Sequence, residues 1–334
     1  MIGSTGQGLG FLLGVPRSGT TLLSTMLERH PAIASPAEPW IMLALEQLGC
    51  VDVRHPANAQ LVGSAVGRFW IEDSRRAAIR GAASALYGAA LERTGKTFLV
   101  DKTPRYYLIL DFLAEIFPEA RFIWLKRDPL DVAASYRTTW QVNLASAIAE
   151  GLDEPAVFDL VAGLDRLERF AAARGEAVLT VGYEQLVAEP EAGLERILEH
   201  LGLAPPPEGT ASLTRFGAGG GRGQGFGDSK ILETDRPHQD SVGGWQGVFD
   251  DGELSILLDA LGAERLRRLG YGGTVDALNA RGVTFRGEEG AARELARIEG
   301  LIADRMADIR LVTSLDQPLH SAVQGRVRRA LRGD

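Results

Sequence analysis

The chain has 334 residues, of which 45% are hydrophobic and 24% are charged, a composition typical of a globular protein with a substantial core. Its formal net charge of -8 argues against a general nucleic-acid-binding protein, because such proteins usually carry a clear basic excess. The single cysteine, Cys50, excludes an intramolecular disulfide and a multi-cysteine zinc site, and with no targeting signal or membrane span recognised we expect a cytoplasmic protein.

Short apolar runs and helical patterns alternate along the first two thirds of the chain. Buried strands are predicted at residues 11–15, 97–100, 121–125 and 177–181. The helical patterns around them fall at residues 19–29, 74–93, 107–117 and 130–137. Such alternation is typical of an α/β fold with a parallel sheet that helices cover on both faces, and ligands then bind beyond the carboxyl ends of the strands.

The last third of the chain has a different texture. Residues 217–227 contain seven glycines in eleven positions, which predicts a mobile lid or a flexible linker. Apolar residues return at 242–269, and apolar side chains at three- and four-residue steps predict an amphipathic helix at 288–309. We expect one domain over residues 1–275 and a helical C-terminal extension over residues 276–334.

A glycine loop joins the first strand to the first helix. Gly14 and Gly19 have the spacing of a P-loop, but Thr20 stands where a P-loop has its lysine, and Arg17 supplies a positive charge within the loop. Without that lysine the loop is a poor candidate for triphosphate hydrolysis. Backbone N–H groups at the start of a helix still favour an anion. The sequence therefore predicts a P-loop-like cradle for a phosphate-like group.

Arg127 and Ser135 follow the third predicted strand. The planar guanidinium of an arginine suits a phosphate, and a serine about two turns into the next helix adds a donor on the same wall. Equally open is a structural role, in which Arg127 pairs with Asp128 or Asp131. The pair is a candidate for a second phosphate contact.

Lys102 and Tyr183 follow the second and fourth predicted strands. A lysine at this edge of a parallel sheet points to where ligands bind, and its ammonium group can neutralise charge that develops on a leaving oxygen. A solvated surface lysine is the other interpretation. Tyr183 suits contact with a nucleotide base or phosphate, and it equally suits packing in the core.

Glu38 lies between prolines in the segment after the first helix. Pro36 and Pro39 restrict the backbone there, so the carboxylate is held in a loop close to the anion cradle. A carboxylate beside a bound anion can act as a base for an incoming hydroxyl group. A helix cap or a salt bridge is the alternative role.

Taken together, these motifs resemble those of the sulfotransferases that depend on 3′-phosphoadenosine 5′-phosphosulfate, and their spacing is most similar to the tyrosylprotein branch and its bacterial relatives. The resemblance implies that the loop holds the 5′-phosphosulfate and that Arg127 and Ser135 hold the 3′-phosphate. It also implies that Glu38 is the base and that Lys102 stabilises the leaving group. The loop residues concerned are Pro16, Arg17, Ser18, Gly19, Thr20 and Thr21.

The resemblance covers residues 9–205 clearly and residues 228–246 weakly. Within the weaker stretch, Ser229 and Lys230 resemble residues that fold over the donor nucleotide. Gly244 stands where the family usually has an arginine, and the eukaryotic branch's secretory anchor has no counterpart. A tyrosine acceptor is therefore not implied, and the expected acceptor is a hydroxyl group of a sugar, lipid, phenol or carrier-bound metabolite.

Other functions stay open on the sequence alone. A small-molecule kinase on a P-loop-like fold is disfavoured by Thr20, and a non-catalytic nucleotide-binding module is disfavoured by the presence of both Glu38 and Lys102. His55 is a second candidate for the base, because cytosolic sulfotransferases use a histidine. The expected reaction needs no metal. We expect acceptor selection to depend on the insert 51–91 and the C-terminal tail.

Overall fold

The computed structural model describes residues 2–51, 55–70, 72–215 and 236–310. Its centre is a five-stranded sheet in which all neighbouring strands are parallel, in the order β2-β3-β1-β4-β5. In chain order the strands β1 to β5 are Leu9–Leu13, Ile33–Ala34, Phe98–Lys102, Arg121–Lys126 and Val178–Gly182. The four predicted strands are confirmed, and β2 is an addition that the sequence did not predict because a two-residue strand has no alternating pattern.

Helices cover both faces of the sheet, as predicted. The helices α1 to α8 are Thr20–Glu28, Ile41–Glu46, Ala59–Phe69, Glu72–Thr94, Leu110–Ile116, Pro129–Ser135, Leu144–Ala149 and Pro155–Phe158. The helices α9 to α15 are Leu164–Arg174, Tyr183–Ala188, Pro190–Leu201, Asp251–Leu261, Ala263–Arg268, Gly272–Ala280 and Glu288–Arg310. No helix of these described stretches is long and apolar enough to cross a membrane.

Alternating side chains of the strands enter two separate cores. In β1, Phe11 and Leu13 belong to the larger core, whereas Leu12 belongs to the smaller one. The same alternation places Trp124 of β4 in the larger core and Leu125 in the smaller one. Because successive side chains of a strand point to opposite faces, the sheet is buried on both sides and its carboxyl edge is left for the loops.

The C-terminal segments pack onto the main body. The predicted apolar block 242–269 is broken at Gly262, which has φ of 80° and separates α12 from α13. The amphipathic helix is confirmed as α15, which packs against α12 and buries Ile298 and Ile302 in the larger core. The division at residue 275 stays a prediction, and the glycine-rich segment 217–227 with Ser229 and Lys230 lies outside the described residues.

Candidate functional site

The loop from Gly14 to Gly19 is tightly packed around two glycines. A Cβ atom on Gly14 would lie 2.9 Å from the carbonyl oxygen of Leu125, and one on Gly19 would lie 2.4 Å from the ring of Tyr183. Gly19 also has φ of 93°, in the left-handed region that side chains rarely adopt. These close approaches explain why glycine is needed at both positions of the predicted cradle.

Hydrogen bonds within the loop fix its shape just before α1. The hydroxyl of Ser18 donates to the carbonyl oxygen of Val15 at 2.7 Å, and the Ser18 backbone N–H donates to the same oxygen at 3.2 Å. Ser18 and Thr20 are both buried, whereas Thr21 is partly exposed on the first turn of the helix. The loop therefore places the start of α1 beside the carboxyl end of the sheet, the geometry expected for an anion cradle.

Arg17 connects the loop to the helix α6. Its Nε donates to the hydroxyl oxygen of Ser135 at 3.0 Å, and its Nη2 donates to that of Thr139 at 3.3 Å. The guanidinium carbon also lies 5.1 Å from the ring centre of Trp140. The structure thus brings Arg17 and Ser135 into contact. The sequence predicts them on different elements but in the same donor site.

Arg127 lies directly after β4 and is almost fully buried, with 7% of its surface exposed. Its two terminal nitrogens donate to backbone carbonyl oxygens, Nη1 to Arg17 at 3.0 Å and Nη2 to Ser241 at 2.6 Å. The guanidinium stacks on the ring of Tyr183 at 4.6 Å from its centre. Its Nε is buried and has no hydrogen-bond partner among the described residues.

The alternative in which Arg127 pairs with a neighbouring aspartate is not what these contacts show. Asp128 caps α6 by accepting from the Leu130 N–H at 2.9 Å, and it also accepts a hydrogen bond from Thr274. Asp131 accepts from the backbone N–H groups of Gly243 and Trp245. The two carboxylates hold neighbouring segments, which leaves the guanidinium of Arg127 facing the loop.

Tyr183 packs beneath the anion loop at the start of α10. It is buried, its ring faces Arg127, and a Cβ on Gly19 of the loop would meet that ring. Burial raises the pKa of its phenol, and the nearby Arg127 charge opposes that rise. Of the two roles left open by the sequence, the packing role is present here, and a nucleotide contact stays a prediction.

Lys102 and Glu38 form an ion pair at the end of β3. The Lys102 Nζ lies 2.8 Å from Oε1 of Glu38 and also donates to the hydroxyl of Thr21 at 3.4 Å. Lys102 is 1% exposed and the Glu38 side chain 14% exposed. The lysine is therefore a buried group that links the carboxylate to the first turn of α1, rather than a solvated surface residue.

The segment that carries Glu38 has an unusual backbone. Ala37 pairs with Lys102 in a parallel bridge, and Glu38 and Trp40 have φ of 32° and 56°. Positive φ values in residues other than glycine are uncommon and often mark functional segments. The bridge brings the Glu38 segment to the strand end, where its carboxylate meets the lysine.

The alternative that a histidine is the base is not supported, among the described residues, by a contact like the one between Glu38 and Lys102. His55 is exposed, and its Nδ1 accepts the backbone N–H of Ala57 at 3.1 Å. His30 is buried and bonds through Nε2 to the carbonyl oxygen of Ala204 at 3.0 Å. The carboxylate of Glu38, not a histidine ring, contacts Lys102.

Two residues of this region were not predicted from the sequence. Thr139 and Trp140 contact Arg17 because a π-helical turn, Tyr136–Trp140, continues α6 past Ser135. Ser241, which lies in the stretch 228–246 of weaker resemblance, contacts Arg127 through its carbonyl oxygen. The sequence feature that could have indicated the Arg17 contact is the aromatic residue Trp140, five positions after Ser135.

The donor set of the site suits an anion. Arg127 donates to the carbonyl oxygen of Arg17 in the loop, and Lys102 contacts both Glu38 and the hydroxyl of Thr21 on the first turn of α1. No group of three or more histidine, cysteine, aspartate or glutamate side chains that could hold a metal occurs within residues 2–51, 55–70, 72–215 and 236–310. The arrangement can bind a phosphorylated ligand and offer a carboxylate to a proton-bearing group.

Comparisons with known proteins agree with this chemistry. A family model described as "Sulfotransferase family" matches residues 11–207. The nodulation protein NoeE of Sinorhizobium fredii is 38% identical over 294 residues, which cover 83% of this chain and 69% of that protein. Protein-tyrosine sulfotransferase 1 of Danio rerio is 28% identical over 208 residues, and the match spans 58% of this chain and about half, 52%, of that protein.

Solved structures extend the likeness to the fold. The sulfotransferase domain from the curacin biosynthetic pathway superimposes with a TM-score of 0.50 and 20% identity, covering 79% of this chain and 97% of that domain. At that level of identity the likeness concerns the fold, a parallel sheet of the same class with helices on both faces.

Proposed function

The chain belongs to the sulfotransferase family, and from this we propose that it transfers a sulfuryl group from 3′-phosphoadenosine 5′-phosphosulfate to a hydroxyl group of an acceptor. The observation that carries the proposal is the contact between Lys102 and Glu38 beside the anion loop. A cation for the leaving oxygen and a base for the incoming hydroxyl then lie within one hydrogen bond of each other.

The donor fits the groups that surround the loop. The loop amides and the start of α1 suit the 5′-phosphosulfate, and Arg127 offers an unused Nε–H to the 3′-phosphate. Ser135 accepts a hydrogen bond from Arg17, so its own hydroxyl proton remains available for a phosphate oxygen. Ser229 and Lys230 stay predicted donor contacts.

The reaction we propose is an in-line displacement at sulfur. Glu38 accepts the proton of the acceptor hydroxyl as the acceptor oxygen forms its bond to sulfur. The bond between sulfur and the bridging phosphate oxygen breaks, and Lys102 and Arg17 neutralise the charge that develops on the oxygens. The products are the sulfated acceptor and adenosine 3′,5′-bisphosphate, and the neutralising charges of this proposal all come from side chains and amides, with no metal.

The acceptor class is the open part of the proposal. The matched relatives carry names that refer to nodulation, to protein tyrosine and to a hydroxylated menaquinone. The last two names refer to a protein tyrosine and to a hydroxylated menaquinone, and the acceptor we propose is a hydroxyl group of a sugar, lipid, phenol or carrier-bound metabolite. We assign acceptor selection to the insert 51–91 and to the C-terminal tail after Val283, the two stretches for which the motif resemblance offers no counterpart.

A labelling experiment tests the proposal. The protein is incubated with donor radiolabelled in its sulfuryl group and with fractionated extract of its source, and the labelled product is identified. We expect the wild-type protein to label a fraction and Glu38→Gln to label it at least about a hundredfold more slowly. In a parallel incubation with ATP labelled in its γ-phosphate, transfer of that label would indicate a kinase. Tight binding of the donor without any transfer would indicate a non-catalytic module.

A further inference from the structure

A buried carboxylate lies next to Lys102 in the chain and has no part in the mechanism above. Asp101 has no exposed surface, and its side chain accepts three hydrogen bonds. The donors are the hydroxyl of Tyr87 at 2.6 Å, that of Tyr106 at 2.9 Å and that of Thr103 at 2.9 Å. We call these four residues the Asp101 cluster.

Two of the three hydroxyl groups also accept hydrogen bonds from the segment that carries Glu38. The Thr103 hydroxyl oxygen accepts the backbone N–H of Trp40 at 3.4 Å, and the Tyr106 hydroxyl oxygen accepts that of Met42 at 3.1 Å. Trp40 lies two residues after Glu38 and has φ of 56°. The cluster thus holds the strained backbone directly after the proposed base.

The third hydroxyl group, that of Tyr87, comes from a different part of the chain. Tyr87 belongs to α4, on the insert, and its hydroxyl donates to Asp101 without a direct hydrogen bond to the described residues of the Glu38 segment. Tyr87 and Tyr106 are buried to a similar degree, 2% and 0% exposed, and both donate to Oδ2 of the same carboxylate. The chain therefore contains a matched pair of tyrosines that differ in whether they reach the segment of the base.

Burying a carboxylate that is hydrogen-bonded only to neutral hydroxyl groups costs free energy. Burial raises the pKa of Asp101 to about 6, although its hydroxyl partners and Lys102 oppose the rise. An apolar side chain would pack in this core without that cost, so the stability of the fold does not by itself account for an aspartate. What the carboxylate adds is orientation, since it fixes two hydroxyl groups whose oxygens then accept backbone N–H groups.

We propose that Asp101 is a positioning residue that, through Thr103 and Tyr106, holds the Glu38 segment against Lys102. The inference rests on the proposed function, in which the separation of Glu38 and Lys102 matters for sulfuryl transfer. Asp101 and Lys102 are consecutive on β3, so a single strand end fixes both the lysine and the anchor of the carboxylate segment. A displacement of about 1 Å at a reacting group is enough to reduce turnover by roughly a hundredfold.

The test compares variants that remove one hydroxyl group each. Tyr106→Phe and Thr103→Val break the connection to the Glu38 segment, Tyr87→Phe is the matched control, and Thr103→Ser restores the hydroxyl. Turnover of sulfuryl-labelled donor is measured with the fraction that the wild-type protein labels. Binding of adenosine 3′,5′-bisphosphate is measured by calorimetry and the free energy of unfolding by urea.

We expect kcat to fall roughly 10- to 100-fold in Tyr106→Phe and Thr103→Val, with adenosine 3′,5′-bisphosphate binding within about threefold of wild type. Tyr87→Phe and Thr103→Ser should keep kcat within about threefold. Equal kcat losses in Tyr87→Phe and Tyr106→Phe, or unchanged kcat in Tyr106→Phe and Thr103→Val, would overturn the inference. A wild-type protein that labels no fraction would instead overturn the proposed function.

Discussion

The ammonium nitrogen of Lys102 lies 2.8 Å from Oε1 of Glu38, and both groups are largely withdrawn from solvent. A charge pair of this kind is weak evidence for stability, because desolvation of both partners offsets their attraction. Its effect on function is more direct: it fixes the distance between the proposed base and the cation for the leaving oxygen. In the proposed reaction, the remaining carboxylate oxygen of Glu38, Oε2, is assigned to the proton of the acceptor hydroxyl.

Glu38→Gln should separate binding from chemistry. Glutamine keeps the size of the side chain but cannot accept a proton, so we expect turnover to fall by about a hundredfold or more. Binding of adenosine 3′,5′-bisphosphate, measured by calorimetry, should stay within about threefold, because the proposal assigns the phosphate contacts to the loop, Arg127 and Ser135 and not to Glu38. Turnover near that of the wild type would show that Glu38 is not the base.

Lys102 gives the complementary experiment. Lys102→Met retains the aliphatic stem and removes the charge, so we expect a similar loss of turnover, about a hundredfold or more. It also leaves the partly buried carboxylate of Glu38 unpaired, and the free energy of unfolding in urea should therefore fall. The double variant Glu38→Gln/Lys102→Met should regain much of that stability without regaining turnover. Additive losses of stability would argue against a coupled pair.

Arg127→Ala should weaken donor binding. The guanidinium has an unpartnered Nε–H, and a hydrogen bond to a charged group contributes about 1.5–3 kcal/mol, so the Kd for adenosine 3′,5′-bisphosphate should rise roughly 10- to 100-fold. Arg121→Ala is the matched control, since Arg121 is exposed at the opposite end of the same strand. Equal effects of the two substitutions would mean that net charge, and not a specific contact, governs binding.

Much of the fold followed from local sequence patterns, whereas the contacts within the site did not. Apolar runs locate four strands, and the positions of Arg17, Lys102 and Arg127 after strand ends place them on one edge. The strand Ile33–Ala34 is too short for a periodic signal. The approach of Arg17 to Trp140 depends on a π-helical turn that no residue pattern announces.

The Asp101 cluster shows the same limit of prediction from sequence for individual side chains. The sequence places Asp101 beside Lys102, but only the folded chain brings Tyr87 and Tyr106 to the same carboxylate oxygen. Those contacts join residues from separate helices and depend on tertiary packing, which periodicity does not encode. The positions of the strand-end residues were therefore predictable, and the groups that contact them were not.

Asp128 should make stability depend on pH. Burial, the largest cause, raises the pKa of Asp128 to about 6, from 3.8. The folded state then binds more protons than the unfolded state between those values, so the contribution of Asp128 to stability decreases as pH rises from about 4 to about 6 and is constant above that range. A shift of this size corresponds to roughly 2–3 kcal/mol.

Asp128→Asn removes this titration while an asparagine can still cap α6. Relative to the wild type, the variant should therefore gain stability as pH rises from about 4 to about 6, by an amount on the order of 2 kcal/mol. Urea unfolding at a series of pH values measures the difference. A difference between the two proteins that is the same at every pH would contradict the assignment.

Gly19→Ala should disturb the anion loop through two separable effects. Alanine at φ of 93° is strained, and its Cβ would lie 2.4 Å from the Tyr183 ring. The Arg127 guanidinium stacks on that ring and restricts its movement away from the added Cβ. We expect a loss of stability on the order of 1–3 kcal/mol from the backbone strain alone, and weaker binding of adenosine 3′,5′-bisphosphate because the loop amides are displaced.

Gly81→Ala is the control for that substitution. Gly81 lies in α4, is exposed, and has no neighbouring atom within 4 Å of an added Cβ, so alanine there should raise stability by about 0.5–1 kcal/mol without changing nucleotide affinity. The double variant Gly19→Ala/Tyr183→Leu removes the aromatic ring but keeps the strained φ. If it recovers part of the lost affinity, the ring contact shapes the loop; if it recovers none, the backbone conformation of Gly19 alone determines where the loop amides lie.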